Sequence, residues 1–182
     1  MNRFGIQRPL SKKKCFLILS LLPLYFIVVG LFMQPVDQIF RGIVEIIREP
    51  DFLITDYFLV GGIGTSFINA GLLTLLCIWT IYFLDMEMDG HTITSSCLMF
   101  GFSLFGKNLL NIWAILLGVY LYSHYHKKHM SSYIYIGFYG TSLSPIITQI
   151  MYISHLPYAV RLITSLAVGL IIGFAPAVGP SV

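Results

Sequence analysis

Residues 92–122 form a run of 31 residues whose only formal charge is Lys107. As one straight helix it would be about 46 Å long, against a hydrocarbon core of about 30 Å. Two arrangements relieve the excess: a strongly tilted or broken span, or a re-entrant hairpin of two half-helices turning at Gly106, Lys107 and Asn108. Backbone that leaves the helix at membrane depth is tolerated only where it is buried in protein or lines water. An ammonium there costs roughly 2.5–3.5 kcal/mol on insertion scales, so Lys107 belongs inside a bundle or a wet cavity. Gly101, Ser103, Gly106, Asn108 and Asn111 surround it, residues that loosen a helix and offer polar partners.

The rest of the chain places this run in a membrane. Of the 182 residues 57% are hydrophobic and 10% charged, whereas soluble domains carry about 25% charged residues. Further apolar runs at 15–33, after Gly64 up to Leu84, at 133–153 and at 159–174 reach or approach the ~20 residues of a spanning helix. The expected fold is all-α: a polytopic helical membrane protein of about four or five spans, with broken or re-entrant helices and one interfacial amphipathic helix. Residues 1–14 form a basic N-terminus and 15–182 a single integral domain. Arg3, Arg8, Lys12, Lys13 and Lys14 precede the first span, which puts that terminus in the cytoplasm. The basic cluster is explained by topology, so nucleic acid is not an expected partner; the lipid bilayer is. The first run exceeds a signal-peptide core and reads as an anchored helix. Cys15, Cys77 and Cys97 have no ligand spacing and read as small apolar residues.

Between the first two long runs, 35–49 is amphipathic. Val36, Ile39, Phe40, Ile43, Val44 and Ile47 share one helical face, and Asp37, Arg41, Glu45 and Arg48 the other. This segment lies in the interface plane. Gly61, Gly62 and Gly64 then predict a break between a short arm and a full span, with Thr65 and Asn69 just beyond. The pattern G-x-x-G-T-S recurs at Gly137, Gly140, Thr141 and Ser142, followed by Pro145, and two such broken helices facing one site occur in transporters built from repeats. Ser165, Gly169, Gly173 and Ala177 recur every four residues, a ridge that lets another helix approach closely. With a cytoplasmic N-terminus and a hairpin at Lys107, the loop 123–132, holding Lys127 and Lys128, also falls inside, as does the acidic loop 85–91.

Three stretches carry a resemblance to a family of bacterial integral membrane proteins, domain-of-unknown-function family 1576. They are Gly61 to Leu72 (with Gly62, Gly64, Asn69 and Gly71), Phe105 to Trp113 (with Gly106, Lys107, Asn108 and Asn111), and Gly140 to Pro145. The resemblance runs from about residue 55 onward. It implies a bacterial inner-membrane protein, and a family chain about twice this length with two related halves, of which this one resembles the first. Where members often carry a proline this chain has Ala114. The family supplies architecture and no substrate.

The residues themselves point first to transport or conduction. Lys107 at a helix break is a fixed positive charge at mid-depth, and half-helix N-termini add partial positive charge. The expected substrate-binding set is Lys107, Asn108, Asn111, Ser103, Asn69, Thr65, Thr141, Ser142 and Gln149; the expected helix breaks are Gly61, Gly62, Gly64, Gly106, Gly140 and Pro145. The alternative is a non-transporting structural subunit in which Lys107 is paired within the fold, with Asp56 as the nearest partner type, and which packs through the Ser165 ridge. A second homologous half or a homo-oligomer would complete either. An intramembrane Ser103–Lys107 hydrolase is a weaker reading, since the pair meets only on an unbroken helix. His124, His126 and His129 have lysines between them and read as a solvated basic loop. No metal and no cofactor is expected.

Overall fold

The computed structural model describes residues 10–50, 54–153 and 155–178, and every regular element among them is helical. Its frame is an antiparallel pair. α1 (Lys12–Met33) and α4 (Ile63–Phe83) are both continuous apolar helices. They meet through glycines. A methyl group added at Gly30 would lie 2.6 Å from the Gly64 carbonyl oxygen, and one at Gly71 2.8 Å from that of Pro23. Phe16, Leu73, Cys77, Ile78 and Ile81 extend this contact into the main core, which also takes Met99, Ile112, Leu116, Ile134 and Phe138.

Between the pair lie α2 (Val36–Arg48) and α3 (Tyr57–Gly61). The amphipathic reading of α2 holds, but its apolar arc is used on two sides. Ile39, Gly42 and Ile46 are buried against the protein, while Val36, Phe40 and Val44 stay exposed beside the charged face. A buried stripe, an exposed apolar stripe and a charged face together are the pattern of an interfacial amphipathic helix. Gly42 fits because a methyl there would stand 2.4 Å from the Gly61 carbonyl. The break follows at Gly62, whose φ of +88° is open to glycine and strained for other residues. A five-residue arm and a 21-residue helix result, as the glycines predicted.

The long run 92–122 is broken. α5 (Gly90–Phe102) starts on an Asp89 cap, residues 103–112 leave the helix, and α6 (Trp113–Tyr125) resumes it. Both outer ends lie at one end of the molecule. Thr92 Oγ1 and Asp89 Oδ1 sit 2.7 and 3.2 Å from Tyr135 Oη, while Tyr122 packs its ring on Tyr133 with centroids 5.2 Å apart. Tyr133 and Tyr135 flank the start of α7 (Ile134–Gly140). The segment therefore enters and leaves on the same side, as a re-entrant hairpin. An ion pair of Lys12 with Asp85 puts the start of α1 at this end too.

From there the chain runs through α7, a 3-10 turn (Thr141–Leu143) and α8 (Pro145–Ile153), then returns through α9 (Tyr158–Val178). Gly140 is not a glycine-dependent break: its φ is −59°. The change of pitch belongs to Pro145, which has no N–H to continue the ladder. α9 packs on α6 as closely as α1 on α4. A methyl at Gly173 would be 2.0 Å from the Ile115 carbonyl oxygen, and one at Gly118 2.4 Å from that of Leu170. The ridge of Gly169 and Gly173 thus meets α6 of the same chain. The side chain of Ala177 lies outside the described residues, as do residues 1–9. α9 continues to Val178, past the run 159–174 that hydropathy marks. Among the described residues three helices are long and apolar enough to cross a membrane: Lys12–Met33, Ile63–Phe83 and Tyr158–Ala175.

Candidate functional site

The hairpin tip is held open by asparagines. Asn69, one and a half turns into α4, donates both amide hydrogens across to the tip, to Ser103 O at 2.7 Å and Lys107 O at 2.8 Å. It satisfies two carbonyls released where α5 unwinds. Asn108 and Asn111 form a reciprocal box. Asn108 N donates to Asn111 Oδ1 (3.0 Å), and Asn108 Oδ1 accepts from Leu110 N (3.0 Å) and Asn111 N (2.9 Å). Asn111 Nδ2 donates to Gly106 O (2.9 Å) and to Thr148 Oγ1 of α8 (3.0 Å). Buried backbone groups without a helix need partners, and three asparagines supply them.

Lys107 points from this tip into the core with no exposed surface. Its Nζ donates to Phe138 O at 3.3 Å, lies 3.7 Å from Met99 Sδ, and stands 5.3 Å from the centre of the Phe102 ring. All three are neutral. Among the described residues the one ion pair is Lys12 with Asp85, so no described carboxylate stands within reach of Lys107. Asp56, the partner type considered from the sequence, is used elsewhere. Its carboxylate caps α3, accepting from Phe58 N (3.0 Å) and Leu59 N (3.3 Å). Phe138 O also accepts from Thr141 Oγ1 at 2.6 Å, so the hairpin lysine and the α7–α8 irregularity share one carbonyl. Ser103 Oγ donates to Met99 O at 2.5 Å, on its own helix, and shares no hydrogen bond with the Lys107 amine.

Residues 35–178 match the model of a family described as a protein of unknown function (DUF1576). The chain belongs to the DUF1576 family. The match takes in α2, twenty residues upstream of where the resemblance in the sequence begins. No curated protein and no solved structure matches the chain.

In this DUF1576 chain, then, Lys107, Asn108, Asn111, Ser103, Asn69 and Thr141 do come together, all of them buried. Thr65 lies apart at the first break, where its N–H and hydroxyl donate to Gln34 Oε1 at 3.1 and 3.3 Å. Ser142 and Gln149 are only half-buried, and neither enters the hydrogen bonds of the tip. Gly61 and Gly62 make the first break; Gly64 lies inside α4 as a contact with Gly30 and Gln34. Gly106 sits within the second break, four residues after α5 has ended. Gln34 and Gly118 escaped the sequence reading. Gln34 Nε2 donates to Gly61 O at 3.0 Å, so this residue serves both sides of the break at Gly62. A polar amide between an apolar span and Pro35 was its available signal. His124 stacks on Tyr120, and His126 lies tilted against Tyr122.

Proposed function

We propose that this membrane protein is one half of a transporter-like or channel-like fold, with its polar site at the hairpin tip around Lys107. The observation that carries the reading is the lysine itself: a fully buried amine that faces a carbonyl, a thioether and an aromatic ring, and no described carboxylate. A buried charge without a counter-charge is costly, and an anionic solute arriving at the tip would supply one. Intramembrane ionisable residues mark substrate and ion paths more often than they serve structure alone. The re-entrant hairpin beside an interrupted α7–α8 path is the backbone arrangement used by transporters at their sites. Lys12, Lys13 and Lys14 lie at the same end as the loop with Lys127 and Lys128, which supports a cytoplasmic location for that end; a bacterial inner membrane is what the family resemblance implies. A second homologous half, or a second copy, completes the path.

A structural role is the second reading, and one observation favours it. The amide nitrogens of Asn69 and Asn111 each donate twice within the protein, to backbone carbonyls and to Thr148. A thermal-shift screen of small anions, amino acids and sugars on wild type and Lys107→Met separates the two. A solute that stabilises the wild type by mass action and not the variant supports the site. If no solute shifts the wild type, the transport reading fails.

A further inference from the structure

A groove of about 260 Å³ opens on the side of the molecule between α2, the hairpin tip, α8 and α9, with Ile47, Leu110, Trp113, Tyr152, Leu162 and Leu166 along its walls. Four polar residues also line it, and each is already engaged inward or locally. Asn108 and Asn111 close their own box, Thr148 accepts from Asn111, and Ser165 donates to Leu162 O at 2.9 Å. Beyond these four the walls are almost wholly aliphatic and aromatic carbon, with the Tyr152 hydroxyl the main polar addition, so the groove suits hydrocarbon. Its rim is open to the outside of the bundle: Leu110, Trp113 and Leu166 are 60%, 51% and 47% exposed. In a membrane protein that outside is lipid.

The charges on segments that border the groove say which lipid. Arg161, in the first turn of α9, reaches back to donate Nη1 to the carbonyl of Met151, a wall residue, at 3.0 Å. Arg48, exposed at the last turn of α2, follows the wall residue Ile47. Neither arginine has a carboxylate within ion-pair distance among the described residues, although Glu45 and Glu49 lie on the same segment as Arg48. Along α9 the order from the helix end inward is Arg161, Leu162, Ser165, Leu166. Cation first and apolar wall after is the head-to-tail order of an anionic phospholipid entering from the membrane surface opposite the Lys12 end, since Phe174 near the other end of α9 packs on Tyr122. We propose that the groove holds one acyl chain of an anionic phospholipid, with the phosphate against Arg161 and Arg48.

Trp113 reports on this groove directly. In Trp79→Phe it is the sole tryptophan of the chain. Phosphatidylglycerol brominated at mid-chain, titrated into the purified protein in detergent, should quench Trp113 saturably and at lower concentration than brominated phosphatidylcholine. Adding R48Q and R161Q should weaken the phosphatidylglycerol response roughly ten- to thirty-fold, the scale of two basic residues near an anionic head group, and leave that of phosphatidylcholine unchanged. Ser165→Phe, which fills the groove, should abolish saturable quenching by both. Equal responses to the two lipids in Trp79→Phe would overturn the proposal without any arginine variant having to fold. So would saturable quenching that survives Ser165→Phe, or inorganic phosphate alone displacing the brominated lipid.

Discussion

Replacing Asn69 with alanine removes both hydrogen bonds that tie the hairpin tip to α4, at 2.7 Å to Ser103 O and 2.8 Å to Lys107 O. The two carbonyls lie in a buried, non-helical segment. Leaving a buried acceptor unsatisfied costs about 1–3 kcal/mol in soluble proteins. Side-chain hydrogen bonds in membrane proteins average nearer 0.6 kcal/mol, with a maximum of about 1.7. Two bonds to one fully buried amide place the expected loss at about 2–3 kcal/mol, most of it from the stranded carbonyls. Asn69→Asp is the sharper test because it keeps the shape and removes the donors. It should lose at least as much as alanine, since its oxygens would face two carbonyls. Reversible unfolding in mixed micelles gives the free energies, and amide hydrogen exchange over 103–111 should speed up in both variants. A loss below about 0.5 kcal/mol for both substitutions, the range of neutral surface changes, would refute the idea that Asn69 holds the tip.

Three further outcomes follow from the same geometry. Gly173→Ala, whose new methyl would stand 2.0 Å from the Ile115 carbonyl oxygen, should cost about 1–3 kcal/mol by forcing α6 and α9 apart. Gly101→Ala meets nothing within 4 Å and should be neutral or gain up to about 1 kcal/mol of helix propensity; equal effects of the two in thermal unfolding would count against the packing argument. Gln34→Leu strands the Gly61 carbonyl and the Thr65 N–H, and should raise hydrogen exchange at Thr65 and lower the melting temperature. The hydrogen bond and charge of Lys12 hold the exposed Asp85 carboxyl below the ordinary carboxylate range. A lowered pKa means that this contact contributes above the ordinary value and is lost as pH falls through the lowered one. The difference in melting temperature between wild type and Asp85→Asn should therefore be constant near neutrality, shrink on acidification below about pH 4, and shrink in high salt.

Which readings survived from sequence to structure follows the range of the forces behind them. The amphipathic period of 35–49 sets a helix at the interface because water, hydrocarbon and protein each select a face. The break at Gly62 was legible since a positive φ is a local property that glycine alone supplies cheaply. Gly140 shows the limit of that logic. It carries the same motif but adopts an ordinary helical φ, and the irregularity is set five residues later by a proline. The Ser165 ridge was legible as a close-packing surface; that its partner is α6, through Gly118, was not.

The sequence by itself determined that this chain is a helical membrane protein, that its helices break at Gly62 and around Lys107, and that one lysine lies deep inside. Those properties depend on hydropathy and on backbone freedom, which are written residue by residue. Only the tertiary structure decided that the long run turns back on itself, that Asn69 serves carbonyls 34 and 38 residues away, and that Lys107 faces Phe138 O instead of Asp56. Those choices come from the packing of distant helices, where each stranded polar group takes the nearest partner that the assembled bundle offers.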